Sequence, residues 1–502
     1  MIFQPESADW LAFRSQATPQ KKALIFWDKQ WTFAELNVLT DGLCDWLGQQ
    51  PLPENRRIGV LMHNRPEYVL LIYAAARMGL TLVTFNSRLT AAEVEWQIGF
   101  TQCEFVIVDE TNQQTLSQIA QVNVLKVPEL SQLPTQSTNK RTDQTAIDNE
   151  QAIQSIVFTS GTTGRPKAVP ITFAQHFYSA MGSAYRLGVQ PDDVWLSVLP
   201  LYHVGGLAVI FRSLLYGTAV DLHPRFNLAE INNALDQKPI SLISVVPTML
   251  YRLIDSREAW PDSMRLILVG GAAASPELVE AAGKLSKSGR LLVSTSYGMT
   301  EVGSQFATQI PADTAQKPAS VGKPFMFNWL RVVDDTDGEA QVGEIGEIQI
   351  KGLVVMAGYL DNPEANAERF TADGWFSTGD LGYLDSDGDL FVVQRRSDLI
   401  LSGGENVYPT EVEAVLRQHP AVKEACVVGL PDPEWGQTVA AMVELLPGTS
   451  LTAQELILFG QEKLARYKHP RTIELVTQLP QTASGKIERK MVFELLSKKG
   501  EK

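Results

Sequence analysis

The stretch 159–167, Thr-Ser-Gly-Thr-Thr-Gly-Arg-Pro-Lys, constrains this chain more than any other. It follows a largely apolar run, 153–158, that reads as a buried strand. A strand opening into hydroxyls, glycines and then a lysine has the makings of a phosphate cradle. Gly161 and Gly164 permit open turns in which several backbone N–H groups face one anion. Thr159, Ser160, Thr162 and Thr163 add hydroxyl donors, and Lys167 adds charge. The spacing is not that of a Walker A loop. A solvated Gly/Thr turn is the plainer alternative, but nine such residues directly after a strand favour a nucleotide phosphate.

Around this stretch the chain reads as α/β. Strands are expected near 23–27, 57–62, 80–85, 104–108, 194–199, 241–247 and 266–269, and helices over 66–79, 173–187 and 204–216. Strands alternating with helices imply doubly wound parallel sheets. From about residue 320 the pattern changes to hairpins, with turns at Asp337-Gly338 and Asp387-Gly388, which suggests a β-rich lobe over 320–397. Residues 398–502 again mix helices and strands, as a small α+β domain would. A chain of 502 residues is too long for one core, so the expected division is 1–397 and 398–502.

Composition excludes several classes. A formal net charge of −14 with no basic cluster argues against nucleic acid, and it means that a phosphate ligand needs a local positive site. Three widely spaced cysteines, Cys44, Cys103 and Cys426, fit a reducing compartment, and six scattered histidines give no zinc pattern. The most membrane-like stretch, 68–85, is interrupted by Arg77 and Gly79 and reads as a helix running into a strand. The first residues are polar and acidic where a signal peptide would be basic and then apolar. A cytoplasmic protein without a membrane span is expected.

Further motifs stand at expected strand ends. Gly270-Gly271-Ala272 follows 266–269, and Ser296-Tyr297-Gly298-Met299-Thr300-Glu301 follows 291–295. A tyrosine face can stack on adenine, and a carboxylate can hold a magnesium ion bridging phosphates. Asp380 closes Ser377-Thr378-Gly379-Asp380, and Arg395 and Asp398 follow a hairpin. A carboxylate reading ribose hydroxyls is common nucleotide chemistry. Asp385, Asp387 and Asp389 are spaced as in a calcium loop, but Gly388 sits at the wrong position, so a turn is expected. Gly403-Gly404 and Lys486, in Pro-Gln-Thr-Ala-Ser-Gly-Lys, complete the series.

In this order and spacing the motifs resemble the adenylate-forming superfamily, which includes acyl- and aryl-CoA ligases, peptide-synthetase adenylation domains and firefly-type luciferases. The resemblance implies ATP, Mg2+ and coenzyme A, and a C-terminal domain that rotates between two half-reactions. It places Thr159, Ser160, Gly161, Thr162, Thr163, Gly164 and Lys167 at the phosphates, and Gly271, Ala272, Ser296, Tyr297, Gly298 and Thr300 around the nucleotide. It gives Glu301, with Thr159, to the metal, and Asp380 and Arg395 to the ribose. Asp398 becomes the hinge, and Gly403 and Gly404 flank the pantetheine tunnel. Lys486 becomes the lysine that reaches the carboxylate and the α-phosphate. One departure is Gln394, where many members carry glycine before the arginine.

The acid is read from the helix expected at 204–216. Peptide-synthetase adenylation domains place an aspartate beside the pocket for the amino group, and the matching stretch Tyr202-His203-Val204-Gly205-Gly206 has none, so the resemblance argues against an amino acid. Arg212 lies in an otherwise apolar run, and a buried guanidinium requires an anion or water. It is either a snorkelling or structurally paired arginine or the anchor of a second substrate carboxylate. The stretches 201–207, 212–218 and 395–400 resemble 2-succinylbenzoate–CoA ligases of menaquinone and phylloquinone synthesis, whose substrate is a dicarboxylate. His203 is then a candidate for the acyl tunnel and for catalysis, and Gly271 for the substrate. The alternatives are a ligase for a monocarboxylic acid and a catalytically silent nucleotide-binding relative.

Overall fold

A computed structural model describes residues 9–117, 119, 122–133, 152–159, 166–271, 274–287, 289–310, 316–317, 319–334, 338–394, 399–480 and 487–500. The chain divides into two compact units, one of 1–87, 98–157 and 168–393, the other of 88–97, 158–167 and 394–502. The second unit is thus discontinuous, and its two early stretches hold to it through particular side chains. Lys468 Nζ lies 2.7 Å from both Glu93 and Glu411, Arg88 pairs with Glu405 at 3.1 Å, and the Trp96 and Phe158 rings are 6.4 Å apart. A sequence boundary at 397/398 could not express this, because the two stretches lie hundreds of residues before it.

Two large sheets form the α/β body. In the nine-stranded sheet, Lys22–Phe26, Ala219–Leu222, Val194–Ser197, Leu242–Val245, Leu266–Val269 and Leu292–Met299 run parallel, with antiparallel strands at both edges. The six-stranded sheet orders Asn123–Lys126, Phe105–Val108, Arg57–Leu61, Thr81–Thr84, Ile153–Thr159 and Lys167–Thr172. Its first five strands pair in parallel. The strands of both sheets are short and mostly buried throughout, as parallel strands covered by helices must be.

Local signals explain the helices. Thr32 and Glu35 form a reciprocal capping box at Phe33–Gly48, and Thr172 and Gln175 do the same for Phe173–Leu187. Pro66–Met78 starts on a proline and stops at Gly79 in the left-handed conformation, φ 64°. The β-rich lobe is a four-stranded sheet in the order Asn328–Val333, Gly346–Gly352, Phe376–Leu384 and Leu390–Gln394. The C-terminal unit carries a five-stranded sheet with the helices Pro409–Leu416, Ala453–Gln461 and Arg489–Gly500. Among the described residues no helix is long and apolar enough to cross a membrane, and the three cysteines are free.

At the turn 385–389 the three aspartates surround a lysine. Lys317 Nζ sits 2.6, 2.7 and 2.8 Å from Asp385, Asp387 and Asp389, so an ammonium neutralises a turn that carries three carboxylates.

Candidate active site

The first unit carries seven of the residues expected around the nucleotide and its metal, Gly271, Ser296, Tyr297, Gly298, Thr300, Glu301 and Asp380. Leu292–Met299 carries Ser296, Tyr297 and Gly298 out of the parallel sheet, and a one-turn helix, Thr300–Val302, follows. Gly298 is dictated by a close approach: a Cβ there would lie 1.8 Å from the Ser304 carbonyl oxygen, so no other residue fits without moving backbone. Ser296 Oγ donates to the Val269 carbonyl at 3.3 Å, tying this strand end to the turn at Gly270 and Gly271. Gly271 has φ +79°, a conformation that glycine adopts freely.

Two tyrosines fix two carboxylates. Tyr297 Oη donates to Asp380 Oδ2 at 2.7 Å, with both residues buried. Asp380 stands on Phe376–Leu384, and its own N–H donates to Thr378 Oγ1 at 3.1 Å. Tyr359 Oη donates to Glu301 Oε1 at 2.7 Å, and the Glu301 carbonyl accepts from the Met356 N–H at 2.8 Å. Glu301 is 7% exposed and offers hard oxygen donors, the chemistry that magnesium selects.

The sequence missed both tyrosine roles. Tyr297, from which a ring face was expected, is 1% exposed and in addition holds Asp380 through its hydroxyl. Tyr359 carried no signal, because its partner lies 58 residues away and on a different element.

The helix Val204–Tyr216 places the acid-site candidates. His203 is its N-cap residue and makes no side-chain capping bond. Arg212 stands nine residues further, which on an α-helix is roughly 13 Å along the axis and half a turn around it. Arg212 is 2% exposed, and its Nη2 is 3.4 Å from Ser179 Oγ. Its guanidinium carbon is 6.0 Å from the Trp195 ring centroid. Its Nε meets no acceptor, and among the described residues no carboxylate pairs with it. Burial pushes its pKa down to about 10, so it remains charged at neutral pH. Burial, with the Arg212 charge second, pushes His176 down to about 3. That histidine ring stacks on Phe211 at 4.2 Å.

The second unit holds the remaining candidates. Thr159 ends the strand Ile153–Thr159, and buried Lys167 begins Lys167–Thr172. Gly403 and Gly404, at φ +59° and +84°, turn the strand Ile400–Ser402 back into Glu405–Val407, the pair of positive angles that a two-residue hairpin requires. A Cβ on Gly403 would lie 2.5 Å from the Trp435 ring, and the Arg471 guanidinium stands 4.9 Å from that ring's centroid. Ser160, Gly161, Thr162, Thr163, Gly164, Ala272, Arg395, Asp398 and Lys486 lie outside the described residues.

The chain matches known proteins over most of its length. The AMP-binding enzyme family model matches residues 11–360, and the AMP-binding enzyme C-terminal domain matches 411–486. The 2-succinylbenzoate–CoA ligase of Bacillus pumilus is 39% identical over 501 residues, covering 97% of each chain. That of Bacillus subtilis is 37% identical, covering 99% of each. Among solved structures, a double mutant of the Bacillus subtilis o-succinylbenzoate CoA synthetase bound with its product analogue superposes with a TM-score of 0.89 at 36% identity, covering 97% of this chain and 98% of that one. An amide bond synthetase from Marinactinospora thermotolerans gives 0.86 at 26% identity, covering 97% and 99%. The higher identity lies with the CoA ligases. On these matches, which span most of its length, the chain belongs to the AMP-binding enzyme family.

Proposed function

We propose that this protein is an ATP-dependent 2-succinylbenzoate–CoA ligase of menaquinone or phylloquinone biosynthesis, working in the cytoplasm. The observation that carries the reading is full-length identity of 36–39% to relatives bearing that name. The site chemistry is consistent with it. In the first step a substrate carboxylate oxygen attacks the α-phosphorus of ATP, the α–β anhydride bond breaks, and pyrophosphate leaves. In the second, the CoA thiol gives up its proton, its sulfur attacks the acyl carbon, and AMP leaves.

Such transfers depend on positioning and charge neutralisation. Asp380, held by Tyr297, reads the ribose hydroxyls, and Arg395 shares that task. Lys167 and the 159–164 loop take the phosphates, and Lys486 takes the α-phosphate and the attacking carboxylate. Glu301, steadied by Tyr359, would hold magnesium together with Thr159. Magnesium would supply positive charge against the phosphates. Asp398 acts as the hinge, and Gly403 and Gly404 line the path of the pantetheine arm.

For the acid, an uncompensated buried charge at Arg212 supports its role as anchor of the second carboxylate. His203, at the N-cap and roughly 13 Å along the helix axis from Arg212, is then a separate contact. Replacing Arg212 by Met separates this from a packing role: an anchor raises KM for 2-succinylbenzoate and spares KM for ATP, whereas a packing cation leaves both unchanged.

The deciding experiment is pyrophosphate release with ATP and magnesium, comparing 2-succinylbenzoate with benzoate, a medium-chain fatty acid and acetate, each with and without CoA. Preference for 2-succinylbenzoate with a thioester product is expected. Preference for a monocarboxylate would refute the substrate, and silence with every acid would refute the ligase.

A further inference from the structure

The six-stranded sheet reverses direction at one place. From Arg57–Leu61 the chain passes through Pro66–Met78 to its neighbour Thr81–Thr84 on one side. From Phe105–Val108 it passes to Asn123–Lys126 on the other. The carboxyl ends of Arg57–Leu61 and Phe105–Val108 therefore form a topological switch point, where open α/β sheets hold their ligands. The nucleotide candidates Tyr297 and Asp380 lie elsewhere. In the nine-stranded sheet the strand of Tyr297 is separated by four strand spacings, roughly 19 Å, from the strand Ala219–Leu222 that leads into this crevice.

A cavity of about 730 Å³ occupies the switch point, lined by residues that follow both strands and by the hairpin of Lys22–Phe26 and Lys29–Thr32. At the hairpin's tip Trp27 is 42% exposed and sits at φ 58°, a left-handed conformation disfavoured for a bulky side chain. A strained backbone that presents an exposed indole to a cavity is a pattern that recurs at ligand clamps. Phe26 and Trp31 extend the aromatic wall.

The charges in the wall divide into engaged and open. Asp109 accepts from the His63 and Asn112 N–H groups, Glu67 pairs with Arg65, and the exposed Glu129 carboxylate meets, among the described residues, only Ser131 Oγ, at 3.5 Å. Lys29 and Arg225 are exposed and form no ion pair among the described residues, and the open carboxylates of the wall are Glu129 and Glu230. The helix Pro66–Met78 also opens at this cavity without a side-chain cap, adding the positive end of its dipole.

We propose that this crevice is a second binding site, taking a small planar aromatic anion: the ring packs on Trp27 and Trp31, and the anionic group meets Arg225 and Lys29. The site is separate from the adenylation chemistry and does not depend on the identity of the acid activated there.

The test uses naphthalene-2-sulfonate, which is planar, anionic and unable to form an acyl-adenylate. It is titrated calorimetrically into the full chain saturated with α,β-methylene-ATP, magnesium and 2-succinylbenzoate. One equivalent should bind with the catalytic site filled. Trp27→Gly, which keeps the backbone angle while removing the ring, and Arg225→Glu, at an exposed position, should each weaken binding at least about tenfold and leave pyrophosphate release unchanged. Loss of binding when the catalytic site is filled would overturn the proposal. So would wild-type binding in either variant, or equal affinity for uncharged 2-naphthol.

Discussion

Replacing Tyr297 by Phe removes one hydroxyl and tests how Asp380, the carboxylate proposed for the ribose, is held. The hydroxyl donates to Asp380 Oδ2 at 2.7 Å, and the two side chains are 1% and 7% exposed, so water does not readily replace the lost donor. A hydrogen bond to a charged group contributes about 1.5–3 kcal/mol, which corresponds to roughly a 10- to 100-fold change. The ring and its packing survive the substitution. The expected result is a fall of that size in kcat/KM for ATP in the pyrophosphate-release assay, with KM for the acid moving less than about threefold. Asp380→Asn combined with Tyr297→Phe should cost little more than Asp380→Asn alone, because the two side chains act as one unit. A Tyr297→Phe enzyme within twofold of wild type, or a fully additive double variant, would refute the reasoning.

Other substitutions follow from the same geometry. Tyr359→Phe frees one Glu301 oxygen from its donor and should raise the magnesium concentration needed for half-maximal rate, whereas Glu301→Gln should raise it further; a magnesium titration reads both. Gly298→Ala forces a Cβ against the Ser304 carbonyl and should lower the melting temperature and activity together, by about 3 kcal/mol or more in stability. Lys468→Met leaves Glu93 and Glu411 without their shared ammonium, a loss of about 3–5 kcal/mol. It should appear as faster amide exchange in Pro409–Leu416, and Glu411→Gln should restore part of the protection.

Acid sensitivity also has a defined sign. Burial pushes His176 down to about 3 and His223 down to about 4. Below about pH 6.5 the unfolded chain therefore binds protons that the folded chain refuses, and stability falls with pH. At pH 5 this costs about 2 kcal/mol for each histidine. His176→Phe should flatten a plot of melting temperature against pH between 7 and 5, and an unchanged slope would contradict the assignment.

Much of the body was legible in the sequence because it rests on local rules. The helices 173–187 and 204–216 and the strand 266–269 emerge at the expected bounds, since capping residues and apolar runs mark their ends. The expected strand 241–247 contracts to Leu242–Val245, because Val246 and Pro247 already begin the next helix. The partners of the site residues were not legible. Tyr359 reaches Glu301, and Lys317 reaches three aspartates, across separations that no periodicity records. The same holds for Arg212, whose oddity in an apolar run was visible but whose neighbours Ser179 and Trp195 stand on other elements.

The discontinuous second unit bears on how the protein is made. Translation delivers residues 88–97 and 158–167 long before the stretch 394–502 that completes their unit. Until then Glu93 lacks the ammonium of Lys468, and Arg88 lacks Glu405. The nascent chain thus carries Glu93 and Arg88 while their counterparts are still unsynthesised, so this unit closes only once the stretch 394–502 has been made. A gene split near residue 394 would consequently yield a C-terminal fragment missing two of its three pieces, and the two halves would have to find each other to complete it.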